Sequence, residues 1–483
     1  MTTSRPRMKP LLCACLSLSM DSLTMVLAFA VAFGLRFEFQ EPSWGWKGVW
    51  TSFPTVWAVQ VAMMFLFDCG RRWRLRARDI PRFVFAFMSS AVVLAILRFM
   101  LSRFAHITIR PPYSIVMING ILVGVGLIVV RWLWTAYMNA RTRESRLLTR
   151  RESPPVDDAT RAYYAGKCVM VTGAGGTIGS ELVRQVTVLG ASRVIMVERG
   201  ENALYEIARR MPQDICIPEM ADINDKNRMI GIFAKYHPDI VLHAAAYKHV
   251  PMVETNPRDG LRNNTLATRR LGEVARAANV AKFVMISTDK AVNPVSVMGI
   301  SKRLAEILLL DLNGGGTVFS AVRFGNVLGS SGSVVPLWEE QIANGGPVTV
   351  TDPQMKRYFM TVSEAAGLVL SSAVLPDNRG CIYTLDMGKP LLMLDLAEEM
   401  IRQAGYVPDR DIRIKFTGVR PGEKLFEELD VTDKSYRRTG HAKIYVTNCS
   451  NAVASSVTDD IARALAVDPG EAYAAVKALV RWC

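Results

Sequence analysis

Four apolar runs crowd the front of this 483-residue chain, roughly Leu11–Leu35, Val49–Phe67, Phe83–Leu97 and Tyr113–Leu133. A helix needs about 20 predominantly apolar residues to cross the hydrocarbon core of a bilayer. The first and last runs meet that length. The third meets it only when flanking residues up to Met100 are added. Four such runs in succession, with hardly a charge inside them, predict membrane-spanning helices rather than core helices of a soluble domain. Residues 1–135 are therefore read as a transmembrane region of four helices.

The charge balance agrees with this. The formal net charge is +14, and residues 1–165 alone hold 21 Lys and Arg against 9 Asp and Glu. The surplus thus belongs to the apolar front and not to a nucleic-acid-binding surface, so a lipid bilayer and no nucleic acid is the expected partner. Arg5, Arg7 and Lys9 precede the first run, "RRWRLRARDIPR" (residues 71–82) separates the second from the third, and Arg141, Arg143, Arg146, Arg150 and Arg151 follow the fourth. By the positive-inside rule both termini face the cytoplasm of a multi-pass inner (cytoplasmic) membrane protein. A cleaved signal peptide in place of the first span would turn the following loops the wrong way round. Asp21 lies inside the first run. An intramembrane carboxylate is a functional candidate by default; the preferred reading is an aspartate buried in the bundle against Ser, Thr or water. The 8 Cys show no CxxC or other ligand spacing, so neither a metal site nor a disulfide framework is expected.

Residues 136–165, charged and then Pro-containing ("RRESPPVDD"), read as a cytoplasmic linker. Beyond the linker the rhythm changes. "KCVMVTGAGGTIGSELVRQVTVLG" runs from an apolar strand through glycines into a helical period. Gly173 allows the tight turn, Gly176 the approach of a pyrophosphate, and Gly179 the close packing of helix on strand. The phosphates would sit at the helix N-terminus, near Thr177 and Ile178. The next strand, "RVIMVE", ends at Glu198, placed for the adenosine ribose hydroxyls. Asp222, beside Ile223 in "ADIND", is placed for the adenine amine. "DIVLHAAAYKHV" is a further buried strand that ends in small residues, Ala244 and Ala245 among them. This alternation predicts an α/β Rossmann-type, doubly wound parallel sheet. NAD is the expected cofactor because Glu198 would repel a 2′-phosphate; Arg199 keeps NADP open as the alternative.

Five ordered blocks carry a resemblance: "TGAGGTIGSEL", "HAAAYKHVPMVE", "STDKAVNPVSVMGISKR", "RFGNVLGSSGSVVPLW" and "GVRPGEKLFEEL". Together they resemble the membrane-bound UDP-N-acetylglucosamine 4,6-dehydratases of polysaccharide and capsule biosynthesis, in the extended short-chain dehydrogenase/reductase superfamily. The resemblance spans roughly Gly166 to Leu429. It implies a catalytic domain over 166–440, with a cofactor part over about 166–320 and a smaller substrate-binding subdomain over about 321–440. A C-terminal tail (441–483) carries no legible motif. The implied substrate is UDP-N-acetylglucosamine and the implied product UDP-2-acetamido-2,6-dideoxy-α-D-xylo-hexos-4-ulose. Full-length members commonly hold an extra nucleotide-binding-like domain between spans and catalytic domain, where this chain has only the short linker. A homodimer or higher homo-oligomer is expected, since association is common in the superfamily.

The resemblance also implies roles. Asp289 would protonate the hydroxyl leaving sugar carbon 6 and Lys290 would take the proton on carbon 5, with the carboxyl shifted upward and the amine downward by burial. Thr288 would hydrogen-bond the oxygen on carbon 4. Lys302, one turn beyond Met298, would hold the nicotinamide ribose. Met298 stands where related enzymes place a Tyr; members of the membrane type share this Met, so it reads as a family trait and not as a lost active site. Lys248 would border the sugar. His249 is equally read as bordering the sugar or as structural, and Asn264 is read as structural. Arg323, Asn326, Ser333 and Val334 resemble diphosphate and uridine contacts. Arg357 and Arg420 would grip the diphosphate in bidentate fashion, and Glu423 would take the uridine ribose hydroxyls. The competing readings are a UDP-sugar epimerase or 5-inverting dehydratase on the same fold, and a non-catalytic membrane-anchored nucleotide-binding scaffold.

Overall fold

The structure is a computed structural model of the chain, and it describes residues 10–38, 45–67, 80–104, 113–142, 156–375, 380–428, 436–448 and 454–483. Arg5, Arg7, Lys9, residues 71–79 and the basic residues from Arg143 to Arg151 lie outside the described residues, as does most of the linker. The chain divides into two compact units, Met1–Ser145 and Arg146–Cys483.

The first unit consists of α1 (Pro10–Phe37), α2 (Gly45–Leu66), α3 (Ile80–Phe104) and α4 (Tyr113–Thr142). Three of these hold stretches long and apolar enough to cross a membrane: Ser19–Phe37, Ile80–Met100 and Ser114–Leu133. Among the described residues the count is three, where the sequence reading expected four. The described apolar stretch of α2, Ser52–Leu66, is shorter, and Pro54 lies inside that helix. Met25, Phe87, Val123 and Leu127 meet in the interior, while Leu27, Phe85, Met88 and Ile121 point outward. Such an outward apolar face suits lipid tails, which solvate it as well as another helix would. Asp21 is buried, and the partner the structure gives it is an arginine. It pairs with Arg131 of α4 at 2.8 Å, and the guanidinium lies 4.8 Å over the Phe83 ring.

The second unit opens with α5 (Asp158–Tyr164) and then alternates: β1 (Cys168–Thr172), α6 (Thr177–Val188), β2 (Arg193–Glu198), α7 (Glu201–Ala208), β3 (Cys216–Met220), α8 (Lys226–Tyr236) and β4 (Ile240–His243). Short helices α9 (Val250–Thr255) and α10 (Pro257–Gly260) run through a π-helical turn (Leu261–Leu266) into α11 (Ala267–Ala277). Then come β5 (Lys282–Ile286), α12 (Val297–Leu310) and β6 (Val318–Arg323). The strands stack in the order β6-β5-β4-β1-β2-β3, all parallel. β1, β2, β4 and β5 read as near-continuous apolar runs because helices cover both of their faces. One core gathers Val171, Leu182, Met196 and Leu370; the other gathers Met170, Phe233, Leu271 and Phe319.

Beyond β6 the sheet continues with Cys381–Leu385, parallel to it, and Ile444–Asn448, antiparallel. The smaller subdomain packs Trp338, Ile342, Leu396 and Ile401 around short strands. Residues 441–483, without a legible motif, supply the Ile444–Asn448 strand and two helices. Val457, Ile461 and Val476 of those helices pack with Ile300 and Leu304 of α12.

Candidate active site

The turn after β1 is built for glycine. Gly173 has φ of +69°, and a Cβ there would come within 2.7 Å of the Ala245 nitrogen. At Gly179 a Cβ would overlap the Gly173 carbonyl oxygen. Gly176 is the N-cap of α6 and leaves the first helical residues, Thr177 and Ile178, facing a cleft of about 1030 Å³. Free N–H groups and the helix dipole make this a seat for phosphate. Thr177 Oγ1 also accepts the Ser331 N–H at 3.1 Å, which ties the glycine turn to the substrate side.

The far end of the cradle is acidic. Glu198 accepts the N–H groups of Gly175 and Gly200 at 3.2 and 3.0 Å. Asp222, next to buried Ile223, accepts from the Asn224 backbone at 2.8 Å. Arg199 is already engaged: it donates to the Tyr247 hydroxyl at 2.8 Å, covers that ring at 4.7 Å, and stands 4.0 Å from Asp222. Asn264 in the π-helical turn pins the loop after β4. Its amide spans the Tyr247 N–H (2.8 Å), the Tyr247 carbonyl (2.9 Å) and Ser301 Oγ (3.0 Å). Ala244, Lys248 and His249 of this loop line the cleft.

At the end of β5 the chain brings three candidate catalytic groups together. Thr288 Oγ1 donates to Asp289 Oδ1 at 2.8 Å, and Lys290 Nζ donates to the same oxygen at 2.9 Å. Asp289 is 1% exposed, and its Oδ2 has no partner. Gly325 leaves room for that oxygen, since a Cβ there would stand 2.8 Å from it. Lys290 Nζ also meets Asn326 Oδ1 at 3.4 Å and Glu427 Oε1 at 3.6 Å. Across the cleft, Met298 and Lys302 lie on one face of α12, which Ser296 caps through the Gly299 N–H at 2.9 Å. Lys302 Nζ donates to the Ile286 carbonyl at 2.7 Å.

The two lysines differ electrostatically. Burial pushes Lys302 down to about 8, with Glu306 pulling the other way. Burial also pushes Lys290 down, but Asp289 and Glu427 outweigh it and leave the amine above its ordinary value. This corrects the expectation of a depressed Lys290. His243 is buried and pushed down to about 3 by burial and by Lys302; it is neutral and spans Thr172 and Thr268 at 2.7 and 2.9 Å.

On the substrate side, Asn326, Ser333, Val334, Arg420 and Glu423 line the cleft. Ser333 Oγ and Glu423 Oε2 are buried there without partners. Lys248 Nζ donates to the Ser331 carbonyl at 2.6 Å, and the His249 ring occupies the space a Cβ on Gly332 would need. One arginine expectation is corrected. Arg323 grips Glu306 from two nitrogens, at 2.8 and 2.5 Å, beneath the site. Arg357 reaches the cleft wall, but its guanidinium donates to the carbonyls of Lys356, Leu425 and Lys424 at 2.8, 3.0 and 2.6 Å. These three bonds fix the chain, and Arg420 stands exposed on the same cleft.

Residues 169–449, more than half of the chain, match the model of a family described as polysaccharide biosynthesis protein. The chain belongs to that family. It is 48% identical to the capsular polysaccharide biosynthesis protein CapD of Staphylococcus aureus over 58% of this chain and 47% of CapD. It thus spans about half the length of that relative. It is 28% identical to a UDP-N-acetylglucosamine 4,6-dehydratase (inverting) of Campylobacter jejuni, over 56% of this chain and 80% of that protein. It is 31% identical to a UDP-glucose 4-epimerase of Rickettsia rickettsii, over 55% and 78%. Among solved structures, Pen from Bacillus thuringiensis aligns with a TM-score of 0.55 at 29% identity, over 60% of this chain and 89% of Pen.

Sequence reasoning missed Glu427 and Glu306. Glu427 stands three residues after "RPGEK" but sits among exposed-looking charges. Glu306 lies one turn after Lys302 and could have been picked out as a same-face partner.

Proposed function

We propose that the protein catalyses NAD-dependent 4,6-dehydration of UDP-N-acetylglucosamine for the synthesis of a surface polysaccharide or glycan. One observation carries the reading: a buried Asp289 bonded to both Thr288 and Lys290, which line the cleft together with Met298, a residue that has no proton to exchange. Epimerisation needs no acid for a departing hydroxyl, whereas elimination needs both an acid and a base. The glycine turn, Glu198, Asp222 and Lys302 would hold NAD, and the acidic adenosine end favours it over NADP. When bound, NAD supplies the acceptor and later the donor of one hydride, with no net oxidation.

The chain's own groups manage the protons. Elimination needs Asp289 protonated and Lys290 neutral, so the cycle starts from neutral Lys290 and the Asp289 carboxylate. As hydride leaves carbon 4, Thr288 holds the oxygen there and relays its hydroxyl proton to Asp289 Oδ1, to which the Thr288 hydroxyl donates at 2.8 Å. Lys290 then takes the carbon 5 proton while Asp289 protonates the hydroxyl leaving carbon 6 as water. Lys290 returns its proton to carbon 5 as hydride reaches carbon 6, and both groups are back in their starting states. Arg420 with the diphosphate, and Glu423 and Ser333 with the uridine end, would orient the substrate; Lys248, Asn326 and Val334 would border it.

The test is proton NMR of UDP-N-acetylglucosamine incubated with the protein in deuterated water. A carbon 6 methyl, a 4-keto or hydrated carbon and deuterium on carbon 5 support the reading, and the carbon 5 configuration separates retention from inversion. A carbon 4 epimer that keeps all its oxygens would replace it with the epimerase. Unchanged substrate, with cofactor bound and the fold intact, would sink it. The apolar helices and the charge pattern support a multi-pass anchor in the inner membrane with the second unit in the cytoplasm. Protease accessibility in spheroplasts and in inverted vesicles tests that orientation. A homodimer or larger assembly is proposed as well, with mass photometry of the solubilised protein as its check.

A further inference from the structure

We propose that Glu427 is a positioning residue for Lys290: with Asp289 it holds the amine between two carboxylates and balances the positive charge that Lys290 acquires on taking the sugar carbon 5 proton. The proposal rests on the dehydratase reading for the identity of that proton.

The geometry is specific. Lys290 Nζ lies 2.9 Å from Asp289 Oδ1 and 3.6 Å from Glu427 Oε1. Glu427 lines the cleft and is 7% exposed, and its second oxygen is buried without a partner. A buried carboxylate left half satisfied is costly to a fold and is held there by its surroundings. Those surroundings are visible on both sides. Arg357 binds the carbonyls of Lys424 and Leu425, just before Glu427, and its Nε stands 3.8 Å from Glu427 Oε1. Lys424 Nζ donates to the carbonyl of Val292 at 3.2 Å, in the loop just after Lys290. The arginine that sequence reading gave to the diphosphate therefore fixes a second carboxylate beside the catalytic amine.

Asp289 cannot do this work alone. In the elimination it changes charge in step with Lys290, because it gives up a proton as the amine gains one. Glu427 touches no departing group and keeps a constant charge opposite the developing ammonium. Preorganised charge of this kind lowers the barrier because nothing must reorient as the reaction proceeds. Burial holds the Glu427 carboxyl above its ordinary value, with Asp289 adding to the rise and Lys290 and Arg357 pulling against it.

The experiment reads Lys290 itself. Trace acetic anhydride labels amines only when they are neutral, so peptide mass spectrometry of the full-length, detergent-solubilised protein gives the midpoint of Lys290 labelling across the lysine range. In Glu427→Gln a negative neighbour is lost, and the midpoint falls by about one pH unit or more. In parallel the acid limb of kcat for UDP-N-acetylglucosamine moves to lower pH, the plateau drops about tenfold, and KM moves little. Glu427→Asp retreats by one methylene; it shows a smaller fall, and it serves as the readout should the Gln variant not fold. An unchanged labelling midpoint overturns the proposal whatever the substrate. A fallen midpoint with an unmoved acid limb overturns the catalytic half of it. A fallen midpoint in a protein that turns over no UDP-N-acetylglucosamine keeps the clasp and sinks the dehydratase reading instead.

Discussion

Lys302 Nζ donates to the backbone carbonyl of Ile286 at 2.7 Å, so one ammonium ties the helix of Met298 to the strand of Thr288 and Asp289. Burial holds that amine at about 8, below its ordinary 10.5. The folded state thus gives up its proton before the unfolded state does. Between those two values the unfolded chain binds more protons, so stability rises with pH through this window, and below it the burial penalty is fully present. Lys302→Met is therefore expected to melt higher than the parent at neutral pH, with the advantage shrinking as pH climbs toward 10.5. Thermal unfolding in detergent at several pH values checks this. An advantage that does not change with pH would contradict it.

Asp289 and Met298 should separate cleanly by mutation. Asp289→Asn keeps the shape but cannot protonate a leaving hydroxyl, so kcat should fall by about 10² to 10⁴ with the cofactor still bound. Met298→Leu conserves volume in a position that is 3% exposed, and should cost less than about 1.5 kcal/mol in stability and little in rate. A large kcat loss in Met298→Leu would mean that the thioether does more than fill space. Steady-state kinetics on the two variants gives the answer.

Gly325 tests the room left for the acid. Its backbone does not require glycine, but an added Cβ would stand 2.8 Å from Asp289 Oδ2 and 3.1 Å from Met387 Sδ. Gly325→Ala should displace the carboxyl and lower kcat about 10²-fold, because a shift of about 1 Å is enough for that. Cofactor titration by fluorescence should be unaffected. Weakened cofactor binding would show that the change spreads beyond the acid.

The Asp21–Arg131 pair calls for a double-mutant comparison. Asp21→Asn removes the carboxylate that the buried Arg131 guanidinium grips at 2.8 Å, and should destabilise the first unit by about 3 kcal/mol. Asp21→Leu combined with Arg131→Met removes both charges and should recover most of that loss. If the single change is harmless, the pair is not what holds these helices. Thermal unfolding followed by tryptophan fluorescence is the measurement.

Some of this was legible because the physics is local. The apolar runs, the glycines of the turn after β1 and the small residues after β4 come from length, period and the space a Cβ needs. The parallel sheet comes from their alternation. Thr288, Asp289 and Lys290 are adjacent in the chain, so their meeting at a strand end was readable too. The second helix of the first unit was less so: its apolar run was counted as a span, and its described apolar stretch, Ser52–Leu66, is shorter than a span.

What the chain could not declare were the pairings across long separations. Asp21 meets Arg131, Arg323 meets Glu306, and Arg357 donates to the carbonyls of Lys424 and Leu425. An arginine next to a glycine-rich motif reads the same whether its fork faces a phosphate or a backbone turn, since both offer oxygens. The direction of the Lys290 shift was likewise beyond the sequence. Burial alone would depress it; Asp289 opposes that, and the fold adds Glu427 at 3.6 Å, so that together they reverse the sign. Composition and period fixed which elements form, because those depend on neighbours along the chain. The tertiary structure decided which charges face each other, because that depends on distances through space.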